Sequence, residues 1–382
     1  MGHQASASAE SHGLAKITVF LYSFSMKPQS NQAGRGLQHN TPSRFSRQTS
    51  QSIDDGWQEE LDALPRLATE LRPEIARSIV SRNQSPDVPL KRSINPYRGC
   101  EHGCVYCFAR PSHAYLDLSP GLDFETRLSY KSNAVELLEE RFRQPNYRVE
   151  PIALGINTDA YQPVERKLRL TRRLLELMLE YRHPVSLLTK GVTLLRDLDI
   201  LEALAERNLV SVSISITTLN QDLKRRMEPR TASPRARLNM LSRLREIGIE
   251  PGVMVAPIIP AINDRELESI LARAAGAGAT RAGYVVLRLP HELKTLFRDW
   301  LAEHFPERAR HVMSLVQQLH GGQDYDPSFG LRQTGQGAFA QLLAQRFAVA
   351  VRRHGLDRDG RPELDCSAFR RPSRQGDQFH LI

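Results

Sequence analysis

The chain has 382 residues, 40% of them apolar, which is enough for one domain of roughly 200 to 250 residues plus extensions. No apolar run approaches the roughly eighteen residues a membrane-spanning helix needs; the longest early stretch, Ile17 to Phe24, ends too soon and has no small-residue cleavage site, so the expectation is a cytoplasmic protein with no membrane partner. A formal charge of +9 and a pI near 9.6 suit a polyanionic partner such as nucleic acid, because Lys and Arg neutralise phosphates, although arginines scattered along helices read equally well as solvated faces.

Residues 1–55 are rich in Ser, Gln, Asn, Gly and His without periodicity and are expected to be disordered or loosely attached. Residues 56–92 read as a helical lead-in: WQEELDALPRLATEL carries apolar residues at helical spacing, Pro73 to Ile79 continues as a short helical or extended segment, and Ser81 to Pro89 is turn-rich. From 93 to 289 strand and helix alternate. Strands are predicted near Ser93 and over Pro151–Asn157, Pro184–Lys190, Leu209–Thr217, Gly252–Ile259 and Ala282–Leu289, separated by helices over Ser132–Arg143, Lys167–Tyr181, Leu198–Arg207, Pro234–Ile247 and Asp264–Ala275. Near-continuous apolar strands of this kind are buried on both faces, as in a parallel sheet, and they make six β/α units. Residues 290–354 read as a helical C-terminal extension and 355–382 as a flexible tail containing Cys366.

The chemistry concentrates in NPYRGCEHGCVYCFARPSHAY, Asn95 to Tyr115, where three of the four cysteines, Cys100, Cys104 and Cys107, fall within eight positions. That leaves nothing for a disulfide framework and points to a reducing compartment. Three thiolates on one loop suit three irons of a cubane [4Fe-4S] cluster and leave the fourth iron open to a chelating small molecule. A Cys3His zinc site completed by His102 or His113, within a zinc-stabilised nucleic-acid-binding module, is the alternative chemistry, and three inert thiols are the third reading. Pro96, Gly99 and Gly103 fit the tight turns such a loop requires.

The spacing C-x3-C-x2-C resembles the signature of the radical S-adenosylmethionine (radical SAM) enzymes. Together with TDAYQPVE and the SISITTL to MEP stretch, the loop resembles the branch of that superfamily containing spore photoproduct lyase, and within it the chain is most similar to a bacterial group of unassigned reaction; the resemblance spans Ser93 to Leu289. It implies a partial (β/α)6 TIM-like barrel of the α/β class, with the cluster at the C-terminal ends of the strands. It also implies a [4Fe-4S] cluster on Cys100, Cys104 and Cys107, S-adenosyl-L-methionine on the open iron, and a reductant such as flavodoxin or ferredoxin. The resulting 5'-deoxyadenosyl radical would abstract hydrogen from a substrate, either DNA or RNA, in a lyase or modification reaction, or else a peptide or small metabolite. Tyr106 would pack by the adenine, and Thr158 or Asp159 would accept from the methionyl ammonium, Asp159 being equally readable as a helix N-cap. Lys190 would reach the carboxylate. Ser215, with Ser213 behind it, would meet ribose or carboxylate, unless the period-two hydroxyls only hydrate a barrel interior. Arg110, His113, Tyr115 and Tyr161 are candidates for substrate contact, Glu228 and Arg230 read as a structural ion pair, and no residue stands out as a catalytic acid or base. One departure is plain: photoproduct lyases use a cysteine near the second strand to return a hydrogen atom, and residues 151–165 contain none, which leaves Cys366 as the spare thiol.

Overall fold

The computed structural model describes residues 34–46, 67–88, 90–357 and 363–372. Among the described residues ten strands form two sheets: β1 (Glu70–Glu74), β2 (Val80–Arg82), β3 (Arg92–Ile94), β4 (Tyr97–Arg98), β5 (Arg127–Lys131), β6 (Ile152–Leu154), β7 (Val185–Thr189), β8 (Val210–Ser215), β9 (Gly252–Ile258) and β10 (Arg281–Val286). The larger sheet runs β10-β9-β8-β7-β6-β3-β2, with every pair parallel except β2–β3. Six parallel strands in sequence order, each leading to a helix, make the partial (β/α)6 TIM-like barrel expected, with the antiparallel β2 added at one edge.

The strands each carry a buried apolar face: Ile152, Leu154, Val185, Leu187, Val212, Ile214, Val253 and Val255, two apart in each strand, are all essentially inaccessible to water. The helices supply the outer layer from one stripe each, such as Leu174, Leu175 and Met178 of Leu170–Glu180 and Met240, Leu241 and Leu244 of Pro234–Glu246. Ser233 caps the latter through Ala236 N at 3.1 Å, with Pro234 in its first turn. The helices Leu293–His304, Ala309–Leu319 and Gly337–His354 form the extension past β10.

Three parts of the terminal regions differ from expectation. The described part of the lead-in is not helical: Glu70–Glu74 is a strand pairing in parallel with β5, which also pairs with β4, so a small sheet fixes the chain just ahead of Cys100. Of the helix expected over Trp57 to Leu71, residues 57–66 lie outside the described residues and Glu70 and Leu71 belong to the strand. Residues 34–46, expected to be loose, are packed: Leu37 is buried in one apolar cluster with Cys104, Val105 and Tyr106, and Arg35 is buried beneath the cysteine loop. In the tail, Phe369 sits edge-on to Phe142 and His183, Asp365 N donates to Asn208 O at 2.9 Å and Arg370 N to Tyr181 O at 2.9 Å. Contacts between distant parts of the chain, rather than hydrophobic periodicity, hold all three.

The gap between β10 and the β2 edge is bridged by Val286 N donating to Gln333 O at 2.8 Å and by an Arg332–Asp87 ion pair. No helix among the described residues is long and apolar enough to cross a membrane.

Candidate active site

The cysteine loop leaves β4 at the C-terminal end of the barrel, where strand ends face outward. Its backbone is tied at each step: Cys100 N donates to Phe124 O at 2.8 Å, Glu101 N to Gln162 Oε1 at 2.8 Å and Val105 N to Met227 O at 3.0 Å. Gln162, in the segment after β6, returns a bond from Nε2 to Gly99 O at 3.1 Å. Below the loop, the fully buried Arg110 donates from Nε to Cys104 O at 2.9 Å and from Nη1 to Gly121 O at 2.8 Å, and forms an ion pair with the equally buried Glu125. Glu125 also accepts from Gly36 N at 2.8 Å and Leu37 N at 3.2 Å, and Arg35 Nη1 donates to Glu125 O at 2.8 Å. A methyl at Gly36 would overlap the Gly103 carbonyl, and one at Gly103, whose φ is +67°, would press on Glu125 Oε2 at 2.6 Å. The N-terminal segment is therefore part of the loop's foundation.

The three cysteines line one cavity of about 300 Å³, together with Tyr106, Thr158, Asp159, Lys190 and Ser215. Residues from three strand ends and the loop thus converge, as the expected cofactor roles require. Ser213 is not among the lining residues: two positions further down β8, its hydroxyl faces Gly252. Asp159 accepts from Thr189 Oγ1 at 2.6 Å, Lys190 N at 2.8 Å and Tyr161 N at 2.8 Å, and faces His102 Nδ1 at 3.3 Å. Burial pushes its carboxyl up, but His102 and these donors outweigh that and bring it down to about 2, so the group is anionic at neutral pH. The Lys190 ammonium stands 5.7 Å from the Tyr106 ring centre. Tyr106 donates to Glu228, which is buried and also accepts from Thr217 Oγ1 at 2.6 Å.

Glu228 and Arg230 are both ion-paired, but not with each other: Glu228 pairs with the buried Arg237, and Arg230 with Glu101 at 3.1 Å.

None of the four residues expected to touch substrate lines the cavity. Arg110 is consumed by Glu125 and loop carbonyls. His113 packs edge-on to Phe124 with Nε2 3.0 Å from Arg127 O. Tyr161 is buried behind the loop, and Tyr115 is exposed beside Phe45 with Arg44 over its ring. Aromatic and basic residues near a motif look functional in sequence, yet here a short 3-10 helix, Arg110–Leu116, turns three of them away from the cavity. Cys366 is half-buried and shares its electrostatic surroundings with Glu150, ahead of β6 at the other end of the barrel. Lining residues to which the sequence reading gave no role include Asp87, Phe108, Met254 and Gln333; of these, only Phe108 stood inside the recognised motif.

Three thiols on one loop are a donor set that suits an iron–sulfur cluster, because a cubane takes one thiolate at each of several separate corners. Burial pushes the Cys100 and Cys104 thiols up, with Asp159 adding to the effect at Cys100 and Lys190 opposing it at Cys104. Thiolates in that setting need a metal cation's charge to become favourable.

The chain belongs to the radical SAM superfamily, whose profile matches residues 94–274, and is a radical SAM enzyme. That family implies an iron–sulfur cluster, S-adenosylmethionine and a source of electrons. The chain is 35% identical over 277 residues to the uncharacterized protein Rv2578c of Mycobacterium tuberculosis, covering 72% of this chain and 78% of that one. It is 29% identical to the uncharacterized protein MJ0683 of Methanocaldococcus jannaschii, over 46% of this chain and 63% of that one. Among solved structures, spore photoproduct lyase complexed with dinucleoside spore photoproduct aligns over 74% of this chain and 79% of that one, with a TM-score of 0.55 at 14% identity, a likeness of fold.

Proposed function

We propose that Cys100, Cys104 and Cys107 hold a [4Fe-4S] cluster and that the cavity beside them binds S-adenosylmethionine. The observation that carries this reading is the convergence of the three thiols with Tyr106, Thr158, Asp159, Lys190 and Ser215 on one cavity at the strand ends. When bound, this pair of cofactors supplies a 5'-deoxyadenosyl radical that takes a hydrogen atom from a substrate. The chain's own part is orientation. Asp159, held anionic by its donors, and Thr158 suit the methionyl ammonium, Lys190 suits the carboxylate, and the Ser215 hydroxyl, which donates to Ala256 O at 3.3 Å, keeps its lone pairs for a ribose hydroxyl. Met254, Pro257, Val285 and Val286 make an apolar wall that excludes water from the reacting centre. Electrons come from a partner such as flavodoxin or ferredoxin.

For the substrate we infer a nucleic acid, supported by the net charge of +9. Anaerobically reconstituted protein is expected to bind close to four irons, as a cubane requires, and to release 5'-deoxyadenosine slowly under strong reduction. Cys104→Ala should lose the iron and Lys190→Ala should keep it while binding S-adenosylmethionine more weakly. Stoichiometric zinc without iron uptake would replace this reading with the zinc module. Deuterated ultraviolet-irradiated DNA, tRNA and a metabolite extract, offered separately, identify the substrate class by which one passes label to 5'-deoxyadenosine; label from the extract alone points to a small metabolite.

A further inference from the structure

The cavity's walls divide by function. The residues proposed to hold the cofactor come from the cysteine loop and the ends of β6, β7 and β8, whereas the wall from β10 and the gap beside it carries Phe108, Arg288, Gln333 and Asp87. Asp87 is already engaged by Arg332 and by Gly330 N at 2.6 Å. Arg288 is different. Its guanidinium lies 4.8 Å from the Phe108 ring centre, and its buried Nε finds no hydrogen-bond partner among the described residues. A buried guanidinium donor left unpaired is costly, and such exceptions in folded proteins ask for an explanation. Phe108, the residue directly after the third cysteine, is 41% exposed, which places a large aromatic face beside a guanidinium whose Nε is unpaired.

An anion is the ligand that completes a guanidinium fork, and a flat ring is what an exposed phenyl face holds by stacking. The two side by side match a nucleotide unit, with its phosphate on Arg288 and its base on Phe108, and such pairing tolerates any base because each offers a π-face. Building on the nucleic-acid reading above, we propose that Arg288 and Phe108 form the substrate-binding wall of the cavity and hold one nucleotide of a single-stranded segment next to the cofactor pocket. A second aromatic and basic group lies at Arg44, which is paired with Glu292 just after β10 and stands over the rings of Phe45 and Tyr115.

The test uses full-length, cluster-reconstituted protein and a fluorescein-labelled single-stranded oligothymidylate of about ten nucleotides, a length within the span one such groove covers. Arg288→Gln is expected to weaken binding on the order of tenfold and to lower the slope of log affinity against log salt by about one, and Arg288→Lys to restore that slope. Phe108→Ala should weaken binding on the order of tenfold with the slope unchanged. S-adenosylmethionine affinity should stay at the parent value in all three. Parent-like oligonucleotide binding by Arg288→Gln overturns the proposal, as does loss of S-adenosylmethionine binding in its place, which would give Arg288 to the cofactor. Equal displacement of the probe by an oligoglutamate of the same length would overturn it in favour of an acidic peptide. Iron content of the parent, measured on the same samples, tests the cluster separately.

Discussion

The two ends of the barrel solve opposite problems. At the C-terminal end, charged side chains are buried in number: Arg110 with Glu125, Arg237 with Glu228, and Asp159 among four donors, all serving to fix one loop and one cavity. At the N-terminal end the barrel is closed by rings. His183 stacks on Phe142 at 4.5 Å, Tyr147 and Phe369 pack around them, and the polar atoms of the cluster are used internally, with His183 Nε2 taking the Tyr147 hydroxyl at 2.7 Å and Nδ1 donating to Pro184 O at 3.0 Å. Buried ion pairs are a poor source of net stability, whereas apolar burial is a good one. The comparison therefore says that the upper end is built for geometry and the lower end for stability, which is how barrel enzymes divide their faces.

The hardest blow to that division is Arg110→Met. Leaving Glu125 charged and unpaired in a fully buried setting should cost about 3 to 5 kcal/mol, read as a fall in the urea midpoint. Because the same guanidinium holds the Cys104 carbonyl, the surviving folded fraction should also bind less iron. Normal iron content alongside lowered stability would show that the network supports the fold without positioning the loop.

The lower end should respond to acid. Burial, with the Arg92 charge adding to it and the Pro184 bond opposing, lowers His183 from 6.5 to about 3. The unfolded chain then binds more protons than the folded one between those values, so the stabilising contribution is complete above pH 6.5 and lost as pH falls toward 3, with a slope of about 1.4 kcal/mol per pH unit. At pH 5 that is about 2 kcal/mol. His183→Gln, which keeps one donor and one acceptor, should flatten the pH dependence of unfolding by this amount, and an unchanged slope would mean that the imidazole is charged in the fold.

How much of this could be read from the sequence depended on whether a feature was periodic. Six strands and their helices showed as apolar runs, and the cysteine spacing showed as a motif, because both are local patterns. The small sheet did not show: Glu-Leu-Arg-Pro-Glu of β1 has no apolar alternation, and it is a strand because β5 pairs with it. Residues 34–46 are polar and aperiodic, yet Arg35 and Gly36 are fixed by the backbone carbonyl and the carboxylate of Glu125, about 90 positions away, a relation with no local trace. The same blindness sent Arg110 and His113 to the substrate and saw Arg288 only as backbone at the end of the last strand, because its unpaired Nε leaves no local trace.

A milder test of the lower end is Phe369→Ala. The ring is partly buried against three others, so its removal should cost about 1 to 2 kcal/mol in unfolding free energy. Iron content and S-adenosylmethionine binding should not move, because the tail touches only the far end of the barrel. A cluster that becomes labile in this variant would break the separation between the two ends.

The finest measure of where the functional end begins is one pleat of β8. Ser215 lines the cavity and Ser213 does not, though they lie on the same face of the strand and roughly 7 Å apart along it. Removing one hydrogen bond to a ligand is worth about 1 kcal/mol, so Ser215→Ala should weaken S-adenosylmethionine binding about fivefold. Ser213→Ala should leave it unchanged, since that hydroxyl faces the Gly252 backbone, where a Cβ would come within 2.6 Å of it. Equilibrium binding on cluster-loaded protein reads both variants. If Ser213→Ala weakens the cofactor as much as Ser215→Ala does, the cavity reaches a pleat deeper than the side chains place it, and the cofactor lies further down the barrel.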